Sequence, residues 1–115
     1  MNAPDRTTFA PAVKDATLFR DRAYVDGAWC EADSGKRFDV DNPGDGSVVG
    51  SVPDMSTAET RRAIDAAARA LPAWRALPAK ERSRIVRKWY DLIVANADDL
   101  ALILTTEQGK PLPEA

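Results

Sequence analysis

The pattern of apolar and polar residues divides the chain into three parts. Residues 1–22 show no periodicity and mix prolines, threonines and charges, which predicts an N-terminal arm. Residues 23–53 are short apolar runs separated by turn signals, which predicts a small antiparallel β-meander. Residues 56–115 carry apolar positions at helical spacing, which predicts three α-helices. A meander of this size needs another layer of structure to pack on.

Three turn signals separate the predicted strands. Asp26-Gly27 suits the positive φ angles of a tight hairpin turn. Ser34-Gly35-Lys36 predicts a second turn, and the run Asn42-Pro43-Gly44-Asp45-Gly46 predicts a third. These signals place the predicted strands at about residues 24–25, 28–30, 38–41 and 48–52.

Particular residues mark the ends of the predicted helices. Ser56 and Glu59 form the pattern of a capping box before the first helix. Pro72 is expected to end or bend that helix, because proline lacks an amide donor. Asn96 is the expected N-terminal cap of the third helix, and Gly109 its expected end.

Each predicted helix has a characteristic set of apolar residues. One apolar stripe on the first helix consists of Ile64, Ala67, Ala68, Leu71 and Trp74, and the expected buried face of the second consists of Ile85, Val86, Trp89, Leu92 and Ile93. The third helix is apolar nearly all round from Leu100 to Leu104, which is typical of a helix inside a larger protein. Residues 112–115 resemble the start of a further helix, so we expect this chain to be a portion of a longer one.

Composition and charge argue against several classes of function. The chain has 115 residues, 44% of them hydrophobic and 30% charged, which is a globular composition. A net charge of -2 gives no broad attraction for nucleic acid or for a membrane surface, so neither partner is expected. The longest apolar run, residues 100–104, is too short to span a bilayer. Cys30 is the only cysteine, which excludes an internal disulfide and favours the cytoplasm.

The residue types that most often carry catalysis are missing. The chain has no histidine, so neither a Cys–His nor a Ser–His pair can form within it. Its six glycines give neither G-x-G-x-x-G nor a Walker A loop. We therefore predict no catalytic and no cofactor-binding residue here, and expect Cys30 to be structural. The basic residues Arg82, Arg84, Arg87 and Lys88 are interpreted as a solvated helix face paired with acids such as Glu81 and Asp91.

Short motifs occur in a fixed order along almost the whole chain, about residues 18–115. In the strand half they are Tyr24-Val25-Asp26-Gly27-Ala28-Trp29, Val40-Asp41-Asn42-Pro43 and Val49-Gly50-Ser51-Val52-Pro53. In the helical half they are Ala63-Ile64-Asp65-Ala66-Ala67, Trp74, Arg82 and Glu107-Gln108-Gly109-Lys110-Pro111. Together, these motifs resemble the NAD(P)-dependent aldehyde dehydrogenases. The resemblance implies an α/β parent with a Rossmann-type cofactor domain, of which residues 23–115 form the first part. It also implies that the chain alone is inactive.

Within this family, several stretches are similar to bacterial succinate-semialdehyde dehydrogenase. They are residues 18–20, 70–77, 79–82 and 106–112. This similarity implies a homodimer or homotetramer that oxidises succinate semialdehyde with NADP or NAD, through a cysteine thiohemiacetal formed outside this chain. Glutarate semialdehyde or betaine aldehyde as substrate remains an alternative within the family. A self-standing α+β binding module is the alternative outside it.

The resemblance also implies a candidate site for a monovalent cation. In a number of family members such a cation binds backbone carbonyls beside the Asn-Pro turn and the acidic residue of the Glu-Gln-Gly-Lys-Pro motif. These positions fall on Val40 and Glu107 of this chain, with a further ligand outside it. Oxygen ligands suit a hard cation. The alternative is a plain helix end with the Glu107 side chain in water.

Overall fold

The computed structural model describes residues 12–115 and contains four strands and three α-helices. In chain order the elements are a 3₁₀ turn (Ala16–Leu18), β1 (Ala23–Val25), β2 (Ala28–Cys30), β3 (Arg37–Asp41), β4 (Val48–Pro53), α1 (Thr57–Ala76), α2 (Ala79–Ala95), α3 (Ala97–Gln108) and a second 3₁₀ turn (Leu112–Glu114). The predicted order of antiparallel strands followed by three helices is confirmed. Residues 1–11 of the predicted arm lie outside the described residues.

The four strands form two separate antiparallel pairs and not one continuous meander. β1 pairs with β2, and their turn has φ angles of 51° at Asp26 and 77° at Gly27, which confirms the predicted tight hairpin. β3 pairs with β4, with Val40 opposite Gly50 and an irregularity in the ladder after Val40. The described strands therefore make two small sheets that share no ladder.

Hydrogen bonds to α1 hold the loop between β2 and β3. This loop contains Asp33, whose backbone amide donates to Glu59 Oε1 at 2.8 Å. The Asp33 carboxylate accepts two hydrogen bonds from Arg62, at 2.6 and 2.9 Å. Glu59 and Arg62 lie one turn apart on α1, so together they hold this loop against the helix.

The start of α1 confirms its predicted signal, whereas its end does not. Ser56 and Glu59 form both halves of the capping box. Pro72 was expected to end or bend the helix; it does not end it, since α1 continues to Ala76 with Pro72 inside it, and the bend stays a prediction. Proline removes a single amide donor, and the alanine-rich sequence around Pro72 favours helix strongly enough to continue past it.

For α3 the predicted end is confirmed, whereas the predicted cap at its start is only partly so. Gly109 ends the helix in a left-handed conformation with φ of 79°, as predicted. Asn96 occupies the N-cap position, but its side chain makes no capping hydrogen bond to α3. The side-chain amide of Asn96 donates instead to the backbone carbonyl of Leu92 at 2.8 Å, so Asn96 caps the C-terminal end of α2.

The helices leave most of their apolar side chains exposed. Among the described residues the buried apolar ones are Ala32, Val48, Val49, Pro53 and Ala66. The expected buried face of α2 is wrong for this chain, since Trp89 is 65% exposed, and the apolar stripe of α1 is open as well, with Ile64 63% exposed. The radius of gyration is 17.5 Å, whereas a compact domain of this length has about 13 Å. These faces are exposed because no described element lies over them.

In residues 12–115 no helix is long and apolar enough to cross a membrane.

Candidate cation site

The Asn-Pro turn between β3 and β4 is held by its own hydrogen bonds. Asn42 Oδ1 accepts the amide of Gly44 at 2.8 Å, and the Asn42 carbonyl accepts the amide of Gly46 at 2.8 Å. The backbone amide of Asn42 donates to the backbone carbonyl of Ser47 at 2.8 Å, which closes the base of the turn. The turn is therefore a fixed unit that follows directly from Val40 and Asp41.

This turn lies against the end of α3. A Cβ atom placed on Gly109 would be only 2.9 Å from Cγ of Pro43. A side chain at position 109 would thus collide with the turn, and its φ of 79° is also unfavourable for other residues. Glycine at this position both ends the helix and allows the close approach. Val40 precedes Pro43 by three residues, and Glu107 precedes Gly109 by two, so both predicted cation ligands flank this contact.

The surroundings of the two predicted ligands contain further negative charge. Asp45, in the same turn, accepts hydrogen bonds from the Ser47 hydroxyl at 2.6 Å and the Ser47 amide at 2.9 Å. These bonds lower the pKa of Asp45, so its carboxylate is charged at neutral pH. Glu107 is exposed on the last turn of α3, and Val40 is half-buried. The described residues contain no cluster of three His, Cys, Asp or Glu side chains that could hold a metal ion.

Comparison with known proteins adds an independent line of evidence. The sequence model of the family described as "Aldehyde dehydrogenase family" matches residues 29–115. The chain belongs to the aldehyde dehydrogenase family. It is 62% identical, over 90% of its length, to glutarate-semialdehyde dehydrogenase of Pseudomonas aeruginosa, and 55% identical over 90% to the NADP(+) succinate-semialdehyde dehydrogenase of Escherichia coli. The fold is similar to a crystal structure of succinate-semialdehyde dehydrogenase from Burkholderia pseudomallei, with a TM-score of 0.86 and 55% identity.

The matches cover only part of each longer relative. The chain spans 21% of the length of each of the three relatives, and 90% of this chain is covered in each case. This aldehyde dehydrogenase chain therefore corresponds to about a fifth of the curated relatives it matches.

The six glycines of this aldehyde dehydrogenase chain are not placed to hold a dinucleotide. Gly50 lies within β4, Gly109 follows α3, and the others lie in turns. A phosphate cradle of the common kind needs glycines that lead into the first turn of a helix, and none of the six does so. These glycines therefore form no phosphate cradle of this common kind.

The predicted solvated basic face is confirmed for two of its members. Arg84 pairs with Glu81 at 3.0 Å and Arg87 with Asp91 at 3.4 Å, and both arginine side chains are at least 70% exposed. Arg82 differs from the prediction. It is half-buried, and its Nε atom is buried without a hydrogen-bond partner. Cys30 is a free, half-buried thiol at the end of β2.

Two charged residues with long-range contacts were not identified from the sequence. The Arg37 guanidinium donates to the Glu31 carboxylate at 2.5 and 2.6 Å, and to the backbone carbonyls of Asp21 at 2.6 Å and Ser51 at 2.7 Å. The Asp99 carboxylate accepts backbone amides of the arm, 84 and 85 residues earlier in the chain. Sequence spacing offers no signal for such pairs, because each partner lies on a different element.

Proposed function

We propose that this chain is the N-terminal part of an enzyme that oxidises a short aldehyde carrying a carboxylate group, with NADP or NAD as hydride acceptor. The observation that carries the proposal is the high identity with two dehydrogenases whose named substrates are both such semialdehydes. Oxidation removes a hydride from the aldehyde carbon, and water supplies the second oxygen of the product acid. Bound dinucleotide would accept the hydride. The groups that carry out these steps lie outside residues 1–115, so this chain alone is inactive.

Succinate semialdehyde and glutarate semialdehyde differ by one methylene group. The motifs similar to bacterial succinate-semialdehyde dehydrogenase favour succinate semialdehyde. The 62% identity with a glutarate-semialdehyde dehydrogenase favours glutarate semialdehyde. One methylene changes the specificity constant by about 10- to 200-fold. We retain succinate semialdehyde as the principal substrate and glutarate semialdehyde as the second candidate.

The proposal predicts a particular ranking of substrates for the complete protein. We expect reduction of NADP or NAD with both carboxylate-bearing semialdehydes, at kcat/KM values about a hundredfold or more above that for betaine aldehyde. The reason is that a site built for an anionic group disfavours a cationic one. Steady-state absorbance assays, with the 115-residue chain as a matched control, measure this. Reduction with betaine aldehyde alone would contradict the substrate class, and no reduction with any aldehyde would contradict the activity.

The exposed helices support an enzyme portion over a self-standing binding module. A module of 115 residues would need its apolar faces covered within the chain, and those on α1 and α2 are open. We further propose that the complete protein is a cytoplasmic homodimer or homotetramer, in line with the family resemblance.

We also propose that the complete protein binds sodium or potassium through the Val40 carbonyl and the Glu107 carboxylate. The contact between Pro43 and Gly109 supports this, because it brings the two ligand-bearing segments together.

Replacing Glu107 with Gln tests the cation proposal. In the complete protein, potassium should raise the thermal unfolding midpoint, and E107Q should need about tenfold more potassium for the same effect, because ligand charge tunes affinity. The matched control is Glu114→Gln, an exposed acid on the second 3₁₀ turn. Equal midpoints for the unmodified protein in potassium and in tetramethylammonium chloride, at matched ionic strength, would disprove the site.

A further inference from the structure

Residues 14–19, which we name the strap, connect the first turn of α3 to strand β4. One end is held by Asp99, which is only 8% exposed. Asp99 Oδ1 accepts the backbone amide of Lys14 at 2.9 Å, and Oδ2 accepts that of Asp15 at 2.9 Å. One carboxylate thus binds two consecutive amides of the strap. Hydrogen bonds to an ionised acceptor are among the stronger ones in proteins.

The middle of the strap is shaped by local hydrogen bonds. Asp15 Oδ1 accepts the Thr17 amide at 3.0 Å and the Thr17 hydroxyl at 2.6 Å. The Leu18 amide donates to the Asp15 carbonyl at 3.1 Å, which closes the 3₁₀ turn. The strap therefore has a defined conformation between its two ends.

The other end of the strap contacts the β3–β4 hairpin through Phe19. A Cβ atom on Gly50 would lie 3.5 Å from Cζ of the Phe19 ring, which is ordinary van der Waals contact. Gly50 is the β4 residue directly opposite Val40 of β3. The ring thus lies beside Gly50, at the register position of the predicted cation ligand, with room for no more than a methyl group between them.

We propose that the strap fixes the β3–β4 hairpin relative to α3, with Asp99 as its clasp and Phe19 as its contact on the hairpin. The strap contacts the hairpin at Gly50, and Pro43 lies against Gly109. Arg37 of β3 adds hydrogen bonds to the Asp21 carbonyl and the Glu31 carboxylate, which the strap does not make. Opening the clasp releases the strap and loosens the hairpin, while α1, α2 and α3 remain folded. This inference does not depend on cation binding or on the substrate, since it concerns only how two elements are held together.

Asp98 provides a matched control for Asp99. Both residues lie in the first turn of α3, so both interact with the helix dipole. Asp98 is exposed and Asp99 is buried against the strap. A difference between the two variants therefore reports the clasp and not the charge at the helix end.

Hydrogen exchange of the complete protein, resolved by peptide, tests the proposal. In Asp99→Ala the amides of residues 14 and 15 should exchange about tenfold faster or more, because both lose their acceptor. Amides of the hairpin near Val40 should also exchange faster, and Asp98→Ala should change neither region. The α1 and α2 peptides act as an internal check that the variant is folded.

A second variant separates the two ends of the strap. Phe19→Ala should loosen the hairpin while the amides of Lys14 and Asp15 stay protected by Asp99. Two results would overturn the proposal. One is unchanged exchange at residues 14 and 15 in D99A. The other is faster exchange there in D99A, with the hairpin unchanged in both D99A and F19A.

Discussion

Replacing Glu59 with Gln in the complete protein is expected to lower the thermal unfolding midpoint by several degrees. Glu59 is only 4% exposed and accepts hydrogen bonds on both carboxylate oxygens. Oε2 accepts the amide of Ser56 at 2.8 Å and the Ser56 hydroxyl, and Oε1 accepts the amide of Asp33 at 2.8 Å. Glutamine has one acceptor oxygen in place of two, so at least one buried donor loses its partner.

The same change should alter how stability depends on pH. The Ser56 hydroxyl and the Asp33 amide lower the pKa of Glu59 from its ordinary value of 4.5 to about 2. Because the pKa is lower in the folded state, folding favours the ionised form, and its contribution is complete above about pH 4.5. It is lost as the pH falls from 4.5 to about 2. Over this window E59Q should lose less stability than the unmodified protein.

Glu81→Gln is the control for Glu59, because Glu81 is the third residue of α2 as Glu59 is of α1. Its side chain, in the first turn of the helix, is 46% exposed and pairs with Arg84. Thermal unfolding followed by circular dichroism at several pH values measures both variants. The same midpoint and the same acid profile for E59Q and E81Q would show that the Asp33 contact contributes nothing.

Local signals in the sequence predicted the elements that depend on one or two neighbouring residues. The capping box at Ser56, the hairpin turn at Asp26-Gly27 and the left-handed end at Gly109 were all confirmed. Each of these features is determined by the conformational preferences of the residues that form it. The Asn-Pro turn was predicted for the same reason, and its place beside α3 followed only from the family resemblance.

Features that depend on distant partners were not predicted. The separation of the strands into two hairpins was one such feature, and so was the position of the loop between them. That loop is held at Asp33 by Glu59 and Arg62, which lie 26 and 29 residues further along the chain. The Asp99 carboxylate accepts backbone amides of the arm. Every residue except proline has such an amide, so the sequence does not indicate which amides a carboxylate will bind. The spacing of apolar residues predicted which side of α1 and of α2 is apolar. It could not predict that these sides are exposed, because exposure depends on whether another element of the chain packs on them.

The 115-residue chain, purified alone, is expected to associate through the apolar face of α2. Trp89, Leu92 and Ile93 are 65%, 55% and 43% exposed, and α2 has no buried residue. Burying the rest of one such side chain in another molecule contributes about 1 kcal/mol. Several together favour self-association strongly enough to be measured.

A double variant and a matched control make this expectation specific to the α2 face. Trp89→Ser with Leu92→Ser removes about 2 kcal/mol of apolar contact, so the dissociation constant should rise about tenfold or more. Arg87→Ser changes a side chain that is 72% exposed and pairs with Asp91, and it should leave association unchanged. Equal association of the double variant and of R87S would show that another surface is responsible.

Sedimentation velocity of the isolated chain over a range of concentrations tests most directly whether its helices are built to pack against further polypeptide. We expect the sedimentation coefficient to rise with concentration, and thermal unfolding to lack a single cooperative transition. A monomer at every concentration that unfolds in one cooperative transition would contradict the account, because it would show that the open faces of α1 and α2 need no other covering.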